Sequence, residues 1–226
     1  MNLSIKNWII THALLMLLLG VGCLSTIHIY YLLAAAGLSF IVLIFLGKNT
    51  FYSFQPFAGY ANWITFSRLV LLLLVVGTVW RWSNIQLFVL FSLCLLMDGL
   101  DGLAARQYKQ ASDWGALFDK EVDSFFVLVV SILLYQKYQI PAWIILIGTL
   151  HYGYELVLFV LNWQHIETKK NPIGRYVAFL LFIGLLCPLI IPSSIAHSLL
   201  IGISLLVVVS FGVSFFFKFQ QFQLQQ

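Results

Sequence analysis

Four of the five aspartates in this 226-residue chain fall in one pattern: Asp98-x2-Asp101-Gly102-x2-Ala105-Arg106-x8-Gly115-x3-Asp119-x3-Asp123. The fifth, Asp113, lies within it. Residues three or four apart share a helix face, so Asp98 and Asp101 point one way, and so do Asp119 and Asp123. The link between the two pairs is short. Their helices are therefore antiparallel neighbours, and four carboxylates can converge. Uncompensated, they would repel strongly in a medium of low dielectric. Divalent cations relieve that repulsion, and an all-oxygen donor set favours magnesium or manganese over zinc. Two ions about 3.5–4 Å apart can clamp a phosphoryl centre and steady both its entering and its leaving oxygen. A set of ordinary acids at helix ends is the bland alternative, but it would scatter acids over many loops. The residues between the acids suit a diphosphate. Gly102 lets a ligand approach the backbone. Ala105 and Gly115 keep the helix contact close. Arg106 offers a planar fork to phosphate oxygens, or else neutralises the acids.

The elements that position these residues are membrane helices. Hydrophobic residues make up 62% of the chain and charged residues 9%, against about a quarter charged in a soluble domain. A helix crosses a bilayer with roughly 20 apolar residues. Eight such stretches can be read: Trp8–Leu24, His28–Leu46, Trp63–Val79, Ile85–Ala105, Leu117–Tyr135, Ala142–Leu161, Tyr176–Ile191 and Ile195–Phe217. They are continuously apolar rather than alternating, which excludes strands. With the N-terminus cytoplasmic and all eight crossing, ten of the twelve Lys and Arg fall inside and only Arg81 and Lys137 outside. The net charge of +4 then reflects topology and anionic lipid headgroups, and calls for no nucleic-acid partner.

The expected organisation is a transmembrane hairpin over 1–47, an interfacial aromatic segment over 48–62, a six-helix core over 63–217 and a polar, solvated tail over 218–226. The aromatic segment holds Phe51, Tyr52, Phe54, Phe57 and Tyr60 around Pro56, a density suited to the headgroup layer. Cys23, Cys94 and Cys187 sit in apolar stretches without metal or disulfide spacing. The first apolar stretch reads as a retained span rather than a cleaved leader, because Gly20 stands where a lipidation signal has a branched residue. His12, His28 and His197 read as packing or interface residues. His151 shares a face with Glu155; a hydrogen bond between helices is the preferred reading, and a place lining the acceptor cavity the alternative.

The pattern resembles the signature of the CDP-alcohol phosphatidyltransferases at all eight of its fixed positions. Chance agreement is on the order of 10⁻¹⁰ per register at residue frequencies near one in twenty. The likeness covers about Asn62–Phe217. Asn62-x2-Thr65-x2-Arg68 resembles the opening of the first core span in the family, and Gly174-Arg175 the Gly-Lys pair that opens the fifth. The resemblance implies an all-α polytopic bundle, a six-helix core here preceded by a two-helix hairpin. It implies transfer of a phosphatidyl group from CDP-diacylglycerol or a related CDP-alcohol to a hydroxyl acceptor, with CMP released. Asp98 and Asp119 would bridge two Mg2+ (or Mn2+) ions, Asp101 would complete the first site, and Asp123 the second. Asp123 would also take the acceptor's proton. Gly102, Arg106 and Ser112 would hold the cytidine diphosphate, with Asn62, Thr65 and Gly115 nearby. The family context adds a homodimer and a bacterial cytoplasmic membrane, with the site and both termini facing the cytoplasm.

The resemblance implies a small polar alcohol as acceptor, with glycerol 3-phosphate and inositol phosphate as candidates. Lys169, Lys170 and Arg175 form a basic patch, and Glu155 is a charge within a span. Glu155, Lys170 and Arg175 are thus the candidate acceptor residues. Tyr154-Glu155 stands where enzymes making phosphatidylglycerol phosphate carry Arg-Glu. Two other functions compete. A membrane prenyltransferase also holds magnesium and diphosphate on aspartate pairs, and Asp119-x3-Asp123 alone would fit it, but the Asp-Gly-x2-Ala-Arg element would not. A non-catalytic cation-binding protein would need no fixed Gly and Arg around the acids.

Overall fold

A computed structural model describes residues 3–25, 28–54, 57–163 and 172–224. The described residues form nine α-helices and no strand. α1 (Leu3–Gly22) and α2 (Ile29–Leu46) make the N-terminal hairpin, and α3 (Lys48–Phe51) is a single turn. The rest are α4 (Tyr60–Gly77), α5 (Asn84–Gln107), α6 (Asp113–Tyr138), α7 (Trp143–Val160), α8 (Pro172–Leu186) and α9 (Ser193–Leu224). Every expected span is a helix, and the protein is an all-α polytopic bundle.

Among the described residues, six helices, α1, α2, α4, α5, α7 and α9, are long and apolar enough to cross a bilayer. α6 is long enough but carries Asp113, Asp119, Lys120, Glu121 and Asp123 in its first half. α8 is short and passes at Pro188 into a 3-10 turn, Cys187–Leu189, since proline cannot donate the next helical hydrogen bond. The outer surface is apolar, with Leu38, Phe45, Leu74, Leu96 and Leu205 each more than half exposed. A patch of that extent belongs against lipid.

α6 is the central post. Phe125, Leu128, Val129, Ile132 and Leu134 are fully buried on it. α7 packs along α6, α1 along α7, α4 along α5, and α8 along α9. Small residues permit the close crossings, as in membrane bundles generally. A Cβ on Gly148 of α7 would lie 3.0 Å from Leu128 Cα and 2.9 Å from Ser131 Cβ of α6. The hairpin is keyed to α6 as well: Gly47 leaves room for the Trp114 indole, whose Nε1 donates to the Leu43 carbonyl at 3.3 Å.

Two caps fix the helices that carry the acids. Ser83 and Gln86 form a capping box at the start of α5. Ser112 caps α6, its Oγ accepting from Gly115 N at 3.0 Å. Lys109 turns the link between them with φ 55°. The acids therefore lie at one end of the bundle. Lys137 lies at the other, donating to the carbonyls of Val79 and Trp82 at 3.2 and 3.1 Å.

Beyond Lys218, α9 runs on to Leu224: Phe219 and Phe222 pack on Trp163, and Lys218 Nζ donates to the Trp163 carbonyl at 3.1 Å. Among the described residues of 48–59 there is one helical turn, α3, and the first core helix opens at Tyr60. Pro56 lies outside the described residues.

Candidate active site

Three helices meet at the acids. α5 supplies Asp98 and Asp101, α6 supplies Asp119 and Asp123, and α4 supplies Asn62, Thr65 and Arg68. The three α4 residues recur every third position, share one face, and are all buried. Arg68 is 3% exposed. Its Nη1 donates to Asp98 Oδ1 and stands 3.9 Å from Asp101 Oδ2. Its Nη2 lies 2.8 Å from Asp119 Oδ1 and 2.9 Å from Asp123 Oδ1. One guanidinium thus reaches all four acids of the pattern. The charge count took Arg68 as one of the inner-side positive charges. It is interior, and the aspartates neutralise it.

The acids do not form one equivalent set. Asp98, Asp119 and Asp123 can each place an oxygen within 4.8 Å of the others. Their side chains are 32%, 37% and 32% exposed, so a ligand can reach them. Asp101 stands beside this group. Its side chain is 5% exposed, and its Oδ2 accepts from Thr65 Oγ1 at 2.8 Å. A cluster of three reachable carboxylates with no sulfur or imidazole fits a hard divalent cation such as magnesium or manganese. Asp113, inside the sequence pattern, takes no part; it is exposed in the first turn of α6, where an acid complements the helix dipole.

A cavity of about 470 Å³ opens beside the acids. Asn62, Thr65, Asp101, Gly102, Ala105, Arg106, Ser112, Gly115 and Asp119 all line it. The cytidine-diphosphate candidates of the sequence pattern are therefore together on one wall system. A Cβ on Gly102 would meet nothing within 4 Å, so this glycine faces open space, as approach of a ligand to the backbone requires. Ala105 lies on the cavity wall. Gly115 does serve a close contact: a Cβ there would fall 2.7 Å from Asn62 Oδ1 and 3.0 Å from Ser112 Oγ. Asn62 is held by its Nδ2, which donates to the Ala58 carbonyl at 2.7 Å.

Asp123 faces a different space. A cavity of about 170 Å³ lies between α6, α7, α8 and α9, lined by Asp123, Lys120, Ser124 and His151 among apolar residues. Glu155, expected at the acceptor, is ion-paired with Lys120 instead of lining this cavity. Arg175 is exposed at the start of α8. Lys169 and Lys170 lie outside the described residues. His151 does bridge two helices as expected, Nε2 standing 3.4 Å from Glu121 Oε1 on α6. The far oxygen of Glu121 lies 3.9 Å from His12 Nε2 of α1, and His12 Nδ1 is 2.8 Å from Ser39 Oγ of α2.

Sequence reasoning passed over the polar residue Glu121, and it gave Arg68 no partner at the acids and His12 none at Glu121. Arg68 carried a usable signal: a charge within an apolar span, three residues after Thr65 on its face. Glu121 and His12 meet across 109 residues of sequence, and no local spacing announces such a pair.

A sequence model of the family described as CDP-alcohol phosphatidyltransferase matches residues 59–213, about two-thirds of the chain. No curated protein and no solved structure matches. The matched stretch begins one residue before α4 and holds every acid of the pattern.

Proposed function

Because the chain belongs to the CDP-alcohol phosphatidyltransferase family, we propose that it transfers a phosphatidyl group from CDP-diacylglycerol, or a related CDP-alcohol, to a hydroxyl acceptor. The observation that carries this reading is the cavity of about 470 Å³. Its wall holds the Arg106 guanidinium, Gly102 and two of the four acids, Asp101 and Asp119. The neighbouring cavity at Asp123 gives the acceptor its own approach.

Two divalent ions, Mg2+ or Mn2+, would be held by Asp98, Asp119 and Asp123, with Asp101 joining the first of them. When bound they supply charge neutralisation at the two phosphates. The chain's own residues do the rest. Arg106 takes non-bridging phosphate oxygens of the donor through its fork. Gly102 admits the diphosphate against the α5 backbone. Asn62, Thr65, Ser112 and Gly115 border the nucleotide. Asp123 accepts the hydroxyl proton as the acceptor oxygen attacks the phosphorus bearing the lipid. The bond from that phosphorus to the oxygen it shares with the cytidine phosphate breaks, and CMP leaves with the electron pair. Glu155, Lys170 and Arg175 are the residues assigned to the acceptor, and glycerol 3-phosphate or another small polar alcohol is the assigned class. The site faces the cytoplasm, where a soluble alcohol and a lipid donor meet. A homodimer is the assembly that the family suggests.

The experiment is an acceptor screen on purified protein with labelled CDP-diacylglycerol, scored by the lipid formed. A labelled phospholipid appearing with one alcohol and not with others is expected. Release of diphosphate from a prenyl donor, with no CMP from CDP-diacylglycerol, would overturn the reading in favour of a prenyltransferase.

A further inference from the structure

Arg68 is buried on α4, and its two terminal nitrogens contact Asp98, Asp119 and Asp123. These are the same three residues whose oxygens converge within 4.8 Å. The guanidinium therefore touches the full set that a cation would use, and that set is drawn from two helices. Its contacts fall on Oδ1 of each acid. A carboxylate has a second oxygen and further lone pairs to offer, so the same acids can serve the arginine and a metal together.

Sharing the acids in this way has consequences for charge. Three reachable carboxylates and the buried Asp101 outnumber one guanidinium. By formal charge the site is anionic with Arg68 in place, and one unit more so without it. An acidic cluster without a counter-charge repels itself and opens the contact between α5 and α6. Arginine stays charged at any working pH, and α4 packs directly on both helices. It is thus suited to hold the carboxylates in register when no metal is present. The same positive charge acts against an incoming cation, because like charges a few ångströms apart in a poorly screened site repel.

Building on the metal reading of the site given above, we infer that Arg68 is a resident counter-ion: it keeps the metal-free site folded and, in doing so, weakens the site's affinity for divalent metal. The acids are pre-aligned before loading, and the metal is held loosely enough to exchange between turnovers. Arg68 is a positioning residue here, acting through the aspartates rather than on the substrate.

The test uses the full chain in detergent, with Mn2+ binding followed by the paramagnetic resonance of free Mn2+ and with thermal unfolding measured in EDTA and in excess Mg2+. Three proteins are compared: wild type, Arg68→Gln and Arg68→Lys. Arg68→Gln removes the charge and keeps polarity. It is expected to bind Mn2+ at least about tenfold more tightly, to unfold at a lower temperature in EDTA, and to gain more from Mg2+ than wild type does. Arg68→Lys keeps the charge but loses the fork. Its Mn2+ affinity should stay within about threefold of wild type, with a smaller loss of stability in EDTA. If Arg68→Gln cannot be purified at all, Arg68→Lys decides, since unfolding in EDTA at the wild-type temperature would overturn the proposal. Mn2+ binding by Arg68→Gln that is unchanged or weaker than wild type overturns it too, while leaving the metal reading intact. A wild-type protein that neither binds Mn2+ nor responds to Mg2+ overturns both.

Discussion

Replacing Asp123 by Asn tests the division of labour between the two cavities. The substitution preserves shape and removes one negative charge and one proton acceptor. A positioned general base contributes typically 10²–10⁴-fold to rate. Asp123 also gives Arg68 a charge-assisted contact at 2.9 Å, and it belongs to the carboxylate group that fits a metal. Losing both roles together should lower kcat by roughly 10³ or more, equivalent to about 4 kcal/mol. Donor binding should change much less, because Asp123 does not line the cavity that carries the nucleotide candidates. The expected KM for CDP-diacylglycerol is within about fivefold of wild type, the pattern of a group used mainly in the transition state. The assay is initial-rate formation of labelled phospholipid at saturating acceptor and varied donor. Asp113→Asn is the matched control: it removes an aspartate from the same stretch that contacts none of the site acids, and its rate should stay within about twofold of wild type, since a first-turn acid contributes roughly 0.3–1 kcal/mol through the helix dipole. A kcat for Asp123→Asn within tenfold of wild type would refute the base assignment. So would an unchanged kcat with a donor KM raised a hundredfold.

Three further substitutions probe the same geometry. Gly115→Ala puts a methyl 2.7 Å from Asn62 Oδ1 and 3.0 Å from Ser112 Oγ. It should raise the donor KM by at least about fivefold through displaced Asn62, seen in the same initial-rate assay. Gly148→Ala forces a methyl to 3.0 Å from the Leu128 backbone, an overpacking that costs roughly 1–3 kcal/mol; thermal unfolding in detergent should fall by several degrees. Thr65→Val removes the 2.8 Å hydroxyl bond to buried Asp101, a loss of roughly 1.5–3 kcal/mol for a bond to a charged group. It should lower stability in EDTA, again read by thermal unfolding.

The fold and the clustering of the acids were legible for one reason: both are written in local periodicity. A run of about twenty apolar residues is a span wherever it lies, and i, i+3 and i+4 spacing puts Asp98 with Asp101 and Asp119 with Asp123 whatever surrounds them. The difference between Asp101 and the other three was not legible, because it depends on Thr65 of another helix. Counting Arg68 among the inner-side charges leaves out its partners for the same reason; a tally of lysines and arginines cannot register four acids around one of them. Glu155 reads as an isolated charge in a span, yet Lys120 of α6 stands beside it. The polar composition after Lys218 suggests a solvated tail and gives no sign that Phe219 and Phe222 meet Trp163. His151 is the intermediate case. Its isolation in an apolar helix predicts a bridging hydrogen bond, while the identity of the partner, Glu121, comes only from the packing of α6 on α7.

The most direct test of the central claim is CMP release. Purified protein in mixed micelles with CDP-diacylglycerol, Mg2+ and an acceptor mixture should release CMP in step with new phospholipid. EDTA should abolish release, added Mg2+ or Mn2+ should restore it, and Asp119→Asn should release none above background. Metal-independent release, or full release by Asp119→Asn, would contradict a site built on these aspartates.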